Sequence, residues 1–232
     1  MESPSREKAA QMFDRIAKRY DMLNRILSFG LDVYWRKKLI ESVPKREELR
    51  VLDVATGTAD VLIEVARKRY VATAIGVDPS VEMMEIGRDK LRRAGIENAV
   101  LEKGEAEKLS FVDNSFDVAT IAFGIRNAKN VKKALEEMHR VLAPGGQVLI
   151  LEFSMPKFSL VRPFHRFYLR HILPTIGGLI SGERSAYVYL NKTIETFPHG
   201  QNFIDIMDAA GFTQTKATPL NFGIVTIYSG RK

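Results

Sequence analysis

No cysteine occurs in the 232 residues. That absence removes disulfides, thiolate zinc sites and every cysteine-nucleophile mechanism, including methyl transfer to a cytosine ring through a cysteine adduct. Long apolar runs are missing as well. The longest candidates are broken by charge or glycine, short of the ~20 residues that a spanning helix needs. The opening Met1-Glu2-Ser3-Pro4-Ser5-Arg6-Glu7-Lys8 lacks the apolar core of a secretion signal, so a cytoplasmic chain is the expectation. There is no G-x-G-x-x-G phosphate loop and no Asn/Asp-Pro-Pro-Tyr/Phe motif of amino-methylating enzymes. Acidic residues are absent from Phe153 to Gly182. No internal repeat or low-complexity tract occurs.

What is present suits one large globular domain, or one domain with an appended piece: 45% of residues are hydrophobic. The net charge of +7, from 35 basic and 28 acidic residues, fits a basic soluble surface, an anionic ligand, an anionic membrane or nucleic acid. Residues 1–45 read as a basic helical cap. Ala9, Met12, Phe13, Ile16, Ala17 and Tyr20 recur at helical spacing among Lys8, Arg15, Lys18 and Arg19. Pro44 and Lys45-Arg46-Glu47-Glu48 end it.

Residues 46–232 read as a second unit. Apolar runs at 50–54, 72–77, 98–102, 116–122 and 147–153 suit buried parallel strands. Helices are expected between them at 60–69, 80–94 and 129–142, the last ended by Pro144-Gly145-Gly146. After 153 the rhythm breaks for a helical insertion, 155–198. It resumes with a helix at 200–210 and strand-like runs at 213–218 and 222–229. This alternation predicts a Rossmann-like α/β fold, with a mostly parallel seven-stranded sheet and helices on both faces.

In such sheets the ligand lies at the carboxyl ends of the strands. The first loop is Asp53-Val54-Ala55-Thr56-Gly57-Thr58-Ala59-Asp60. Gly57 admits close approach of backbone to a ligand. Asp53 disfavours phosphate and suits a ligand carrying an amino group. Asp78, ending the second strand, suits a ribose diol; a helix-capping role is the alternative. Glu105, in Gly104-Glu105-Ala106-Glu107 after the third strand, suits an adenine amino group. A nucleoside with an amino-acid tail and no phosphate, S-adenosylmethionine, meets all three.

Tyr20-Asp21-Met22-Leu23-Asn24-Arg25-Ile26-Leu27-Ser28 through Trp35, Phe123-Gly124-Ile125-Arg126-Asn127, and Arg140-Val141-Leu142-Ala143-Pro144-Gly145-Gly146 through Ser154 together resemble the ubiquinone/menaquinone biosynthesis C-methyltransferase family, nearly end to end. Leu23, Asp32, Ala59, Glu105, Ala122 and Ala143 depart from its usual residues, Ala59 standing in place of a glycine. The resemblance implies that Thr58, Asp78, Glu105 and Ala106 bind S-adenosylmethionine, with S-adenosylhomocysteine as product, and that the acceptor is a prenylated quinol, demethylmenaquinol or a ubiquinone precursor. No metal is implied, because the sulfonium methyl is already activated. In this reading Arg126 stabilises the quinol oxyanion or orders a water, and Asn127 orients either partner. A surface salt bridge is the alternative for Arg126. Tyr187 and Tyr189 either line the acceptor pocket or pack. His165, His171 and His199 read as surface or packing histidines, and His139 as structural.

Over the acid-free span, Lys157, Arg162, Arg166 and Arg170 interleave with Phe158, Phe164, Phe167 and other apolar residues. A basic amphipathic segment suits an anionic membrane surface, and a lid over the site is the alternative. No nucleic-acid partner is expected, since the aromatics cluster in the insertion. The oligomeric state stays open, a homodimer included. A related methyltransferase acting on another small lipophilic acceptor is the closest alternative, a dinucleotide oxidoreductase the main rival enzyme class, and a binding module without catalysis the rival outside enzymes.

Overall fold

The computed structural model describes residues 9–156 and 158–232; residues 1–8 and Lys157 lie outside the described residues. Strands β1 (Leu49–Val54), β2 (Val71–Asp78), β3 (Ala99–Lys103), β4 (Phe116–Ala122), β5 (Leu142–Phe153), β6 (Thr213–Leu220) and β7 (Val225–Arg231) form one sheet in the order β3-β2-β1-β4-β5-β7-β6. The pairs within the first five strands are parallel, and β7 runs antiparallel between β5 and β6. The chain crosses from β3 at one edge to β4, so the strand order reverses between the neighbours β1 and β4. Pro219 is tolerated in β6 because that strand is an edge.

Alternate residues of each strand serve opposite faces. Val51, Val118, Leu149 and Leu151 join one core with α2 (Leu31–Glu41), α3 (Asp60–Ala66) and α4 (Val81–Arg93). Leu52, Ala119, Ile121, Val148 and Ile150 join the other with α5 (Val131–Val141) and α9 (Gln201–Ala209). Burying one such side chain contributes about 1.5–3 kcal/mol, which explains why these strands are almost wholly apolar. A third core packs α1 (Ala9–Leu27) on the insertion through Met12, Ile16, Leu23, Leu173 and Tyr187. The insertion comprises α6 (Val161–Phe167), a π turn at Tyr168–Ile172, α7 (Leu173–Ser181) and α8 (Arg184–Thr196). Among the described residues no helix is long and apolar enough to cross a membrane.

Several element boundaries differ from the sequence reading by a few residues; the last strand, read as 222–229, is Val225–Arg231. The helix expected at 60–69 ends at Ala66. Strand β5 begins at Leu142, ahead of Pro144-Gly145-Gly146. Leu142 pairs with Phe116, and the register resumes with Gln147 on Val118, so the Pro-Gly-Gly segment is an excursion within the strand.

Candidate functional site

The loop after β1 carries left-handed residues at Ala55, Gly57 and Ala59, with φ of 51°, 56° and 65°. Such a conformation costs a residue with a Cβ roughly 1–2 kcal/mol, so the alanine at 59 sits where glycine is the unstrained choice. The twisted loop aims its amides at the end of β2. Gly57 N–H donates to Asp78 Oδ2 and Ser80 N–H to Asp78 Oδ1, both at 2.8 Å. Gly104 N–H donates to the Asp78 carbonyl at 3.2 Å, which brings the loop after β3 to the same edge. There Glu105 is exposed and Ala106 half-buried.

Asp53 lies behind the loop. Its two oxygens accept from the Thr56 and Thr120 hydroxyls at 2.7 and 2.6 Å. It therefore braces the loop as well as lining a small cavity of about 30 Å³ at the ends of β1 and β4. Burial pushes both Asp53 and Asp78 up to about 6.

Helix α1 crosses this edge. Ser80 Oγ donates to Asp14 at 2.5 Å and Thr58 Oγ1 to Asp21 at 2.6 Å. Lys90 Nζ bonds Asp21 at 2.9 Å and also pairs with Asp60.

On the other side of α1 lies a larger, mainly apolar cavity of about 250 Å³. Its walls come from α1, α2, the insertion and the ends of β4 and β5. Arg126, Tyr187 and Tyr189 all line it, and all three are buried. Burial pushes Tyr187 up to about 12, so its hydroxyl stays protonated. Tyr20 and Arg36 line both cavities and form the partition between them.

Arg126 is not in a surface salt bridge. Its Nη1 donates to Glu152 Oε1 at 2.7 Å and to the Phe123 carbonyl at 2.5 Å, and Glu152 is fully buried. Its guanidinium stacks 5.4 Å from the Phe153 ring centre, and its buried Nε lacks a hydrogen-bond partner among the described residues. Burial raises the Glu152 carboxyl, opposed by Arg126. Asn127 lines neither cavity. The Ile125–Asn127 segment is a 3-10 turn, in which successive side chains diverge by about 120°. His165, read from sequence as a surface or packing residue, is half-buried. It lines the large cavity with its Nε2 buried and unpartnered among the described residues, and burial lowers its pKa.

The ubiE/COQ5 methyltransferase family model matches residues 1–232. The chain belongs to that family. It is 44% identical over 228 residues to the ubiquinone/menaquinone biosynthesis C-methyltransferase UbiE of Geotalea daltonii, covering 97% of each chain. It is 40% identical over 227 residues to a demethylmenaquinone methyltransferase of Bacteroides fragilis, covering 97% of this chain and 93% of that one. Among solved structures, a Thermotoga maritima S-adenosylmethionine-dependent methyltransferase, described as a possible histamine N-methyltransferase, shares the fold. It has a TM-score of 0.69 and 21% identity, over 96% of this chain and 99% of that one.

Within the ubiE/COQ5 fold the sequence reading did not find Glu152, Tyr20 or Arg36 as site residues. Glu152 had a signal. A carboxylate in Val148-Leu149-Ile150-Leu151-Glu152 falls in a strand buried on both faces, where a charge needs a partner. Arg36 had a local signal, Asp32 four residues before it on the same helix, but nothing that pointed to the site.

Proposed function

We propose that this methyltransferase moves a methyl group from S-adenosylmethionine to a ring carbon of a prenylated quinol, with demethylmenaquinol as the acceptor. The observation that carries the reading is the shared wall: an apolar cavity of about 250 Å³ meets a small polar one at Tyr20 and Arg36. A lipophilic ring in the first is thereby beside the polar amino-acid end of the cofactor in the second, with the nucleoside running on toward Asp78, which lines neither cavity.

Gly57, Thr58 and Asp78, with Glu105 and Ala106 at the next strand end, hold the nucleoside in this reading, and Asp53 stiffens the loop. When bound, S-adenosylmethionine supplies a methyl on a positively charged sulfur. The acceptor carbon becomes nucleophilic as the neighbouring hydroxyl loses its proton. Arg126, a buried cation on the acceptor wall, stabilises the resulting oxygen charge where water cannot screen it. Tyr187 and Tyr189 shape the acceptor wall. Asn127 acts through the Arg126 turn instead of touching the ligand.

Exposed apolar side chains of the insertion, with Phe29 at the acceptor cavity, support a peripheral membrane contact. Phe29 lines the cavity yet is 81% exposed, and Phe158, Phe164, Phe167 and Leu179 of the insertion are exposed between 58% and 81%. Arg162, in the same helix as Phe164 and Phe167, is exposed too. Such a face suits delivery of a bilayer-resident quinol.

Transfer of labelled methyl to a panel of quinols and quinones, under conditions that prevent reduction, tests the reading. Label is expected in the ring of reduced demethylmenaquinol and not of the quinone, whose ring carbon is electrophilic. Equal labelling of both forms refutes the mechanism, and labelling of an unrelated lipophilic acceptor alone refutes the substrate.

A further inference from the structure

We infer that Arg36 binds the carboxylate of the cofactor's methionine tail, as a cofactor anchor set in the partition between the two cavities. The inference rests on S-adenosylmethionine as cofactor and is independent of the acceptor's identity.

The small cavity holds the charges needed to read an amino-acid tail. Its lining carries two carboxylates, Asp53 and Asp60, and one cation, Arg36, among the described residues. The tail bears an ammonium and a carboxylate beside the sulfonium. Its positive groups have two acids to meet, whereas its single negative group has only Arg36. Any other pairing sets like charge against like in a buried site.

Arg36 is built for the task. It is 9% exposed, and a neutral aromatic face lies beneath it, with the guanidinium carbon 5.9 Å from the Phe123 ring centre. Both of its ion pairs run through a single nitrogen. Nη1 meets Asp32 at 2.5 Å and Asp60 at 3.6 Å. Nη2 and Nε are left with no protein acceptor among the described residues, and those two donors form the fork that receives a carboxylate in two parallel hydrogen bonds. Asp32 fixes the arginine from behind while itself accepting from Arg25 at 3.1 Å and Ser28 at 2.9 Å. The guanidinium is thus oriented before the ligand arrives, so little rotamer freedom is lost on binding.

The role separates cleanly from packing in a binding cycle with two probes, S-adenosylmethionine and its decarboxylated analogue, which keeps every other group. Calorimetry on the wild-type protein should show the analogue binding about ten- to a hundredfold more weakly, the range of a charged hydrogen-bonded contact. Arg36→Gln and Arg36→Lys should weaken S-adenosylmethionine while leaving the analogue nearly unchanged. The glutamine variant should then no longer distinguish the two, and lysine should keep part of the preference. Thermal melts accompany each variant, and the wild-type comparison stands even if a variant fails to fold. Three results overturn the inference: no preference in the wild-type protein, equal weakening of both probes by Arg36→Gln, or unchanged cofactor affinity with a raised KM for the quinol. The last would assign Arg36 to the acceptor side of the partition.

Discussion

Arg126 and Glu152 meet at 2.7 Å in a region closed to water, with side-chain exposures of 5% and 0%. Breaking such a pair by removing one partner leaves a buried charge alone, at a cost of about 3–5 kcal/mol. Arg126→Ala should therefore lose stability as well as turnover, and cannot by itself report on the reaction. The paired variant Arg126→Gln/Glu152→Gln should recover most of the melting temperature and still turn over at least a hundredfold more slowly, about 2.7 kcal/mol of transition-state stabilisation. Cofactor affinity should change little. Wild-type turnover in the paired variant would reduce Arg126 to a packing role.

Asp53 and Asp78 share a predictable pH behaviour. Burial holds both at about 6, the Thr120 and Thr56 hydroxyls and the Ser80 and Gly57 amides opposing it. The folded protein thus keeps protons that the unfolded chain releases near pH 4. The stability these groups contribute is complete below about pH 4 and is lost as pH rises through about 6. Cofactor binding should run the other way, because its positive groups and ribose hydroxyls favour ionised carboxylates. Affinity for S-adenosylmethionine should rise between about pH 5 and pH 7, with proton release near pH 6. Calorimetry in two buffers of different protonation enthalpy measures that release. Asp78→Asn should diminish it and weaken binding roughly tenfold or more. An affinity flat across this range contradicts the assignment.

The exposed apolar side chains of the insertion should hold the protein on anionic vesicles. Arg162 contributes about 1 kcal/mol near such a surface, and salt screens it. Arg170 contributes less than its charge suggests, since it is paired with Glu195 at 2.6 Å. Replacing Phe164 and Phe167 with Ser, together with Arg162→Glu, should abolish cosedimentation while methylation of a detergent-dispersed short-tail quinol persists. If the wild-type protein ignores the vesicles, the segment is only a cover for the cavity.

Which features the sequence disclosed follows from their range. The five parallel strands were legible because burial on both faces demands near-continuous apolar runs. Gly57 and Asp78 were legible because strand ends place ligands. The start of β5 was not, because Pro144-Gly145-Gly146 reads as a stop, although the strand continues around it. Pairings across the fold were hidden. The acid-free span of 153–182 looks unopposed in sequence, yet Glu195 of α8 meets Arg170, and the Ile180 and Ser181 carbonyls accept from Arg19 of α1 at 2.9 and 3.1 Å. Arg36 was hidden for the same reason. Its pairing with Asp32 is local, at i,i+4 spacing, but only folding sets this one of three adjacent cations beside Asp60 and Phe123.

Helix α1 is tied to Ser80 and Thr58 by Asp14 and Asp21, while Met12, Ile16, Tyr20 and Leu27 face the acceptor cavity. One helix therefore borders both chambers, its polar side bonded to the cofactor edge and its apolar side lining the acceptor cavity. A substitution that displaces α1 should disturb donor and acceptor binding together, and the two affinities measured on the same variant report it.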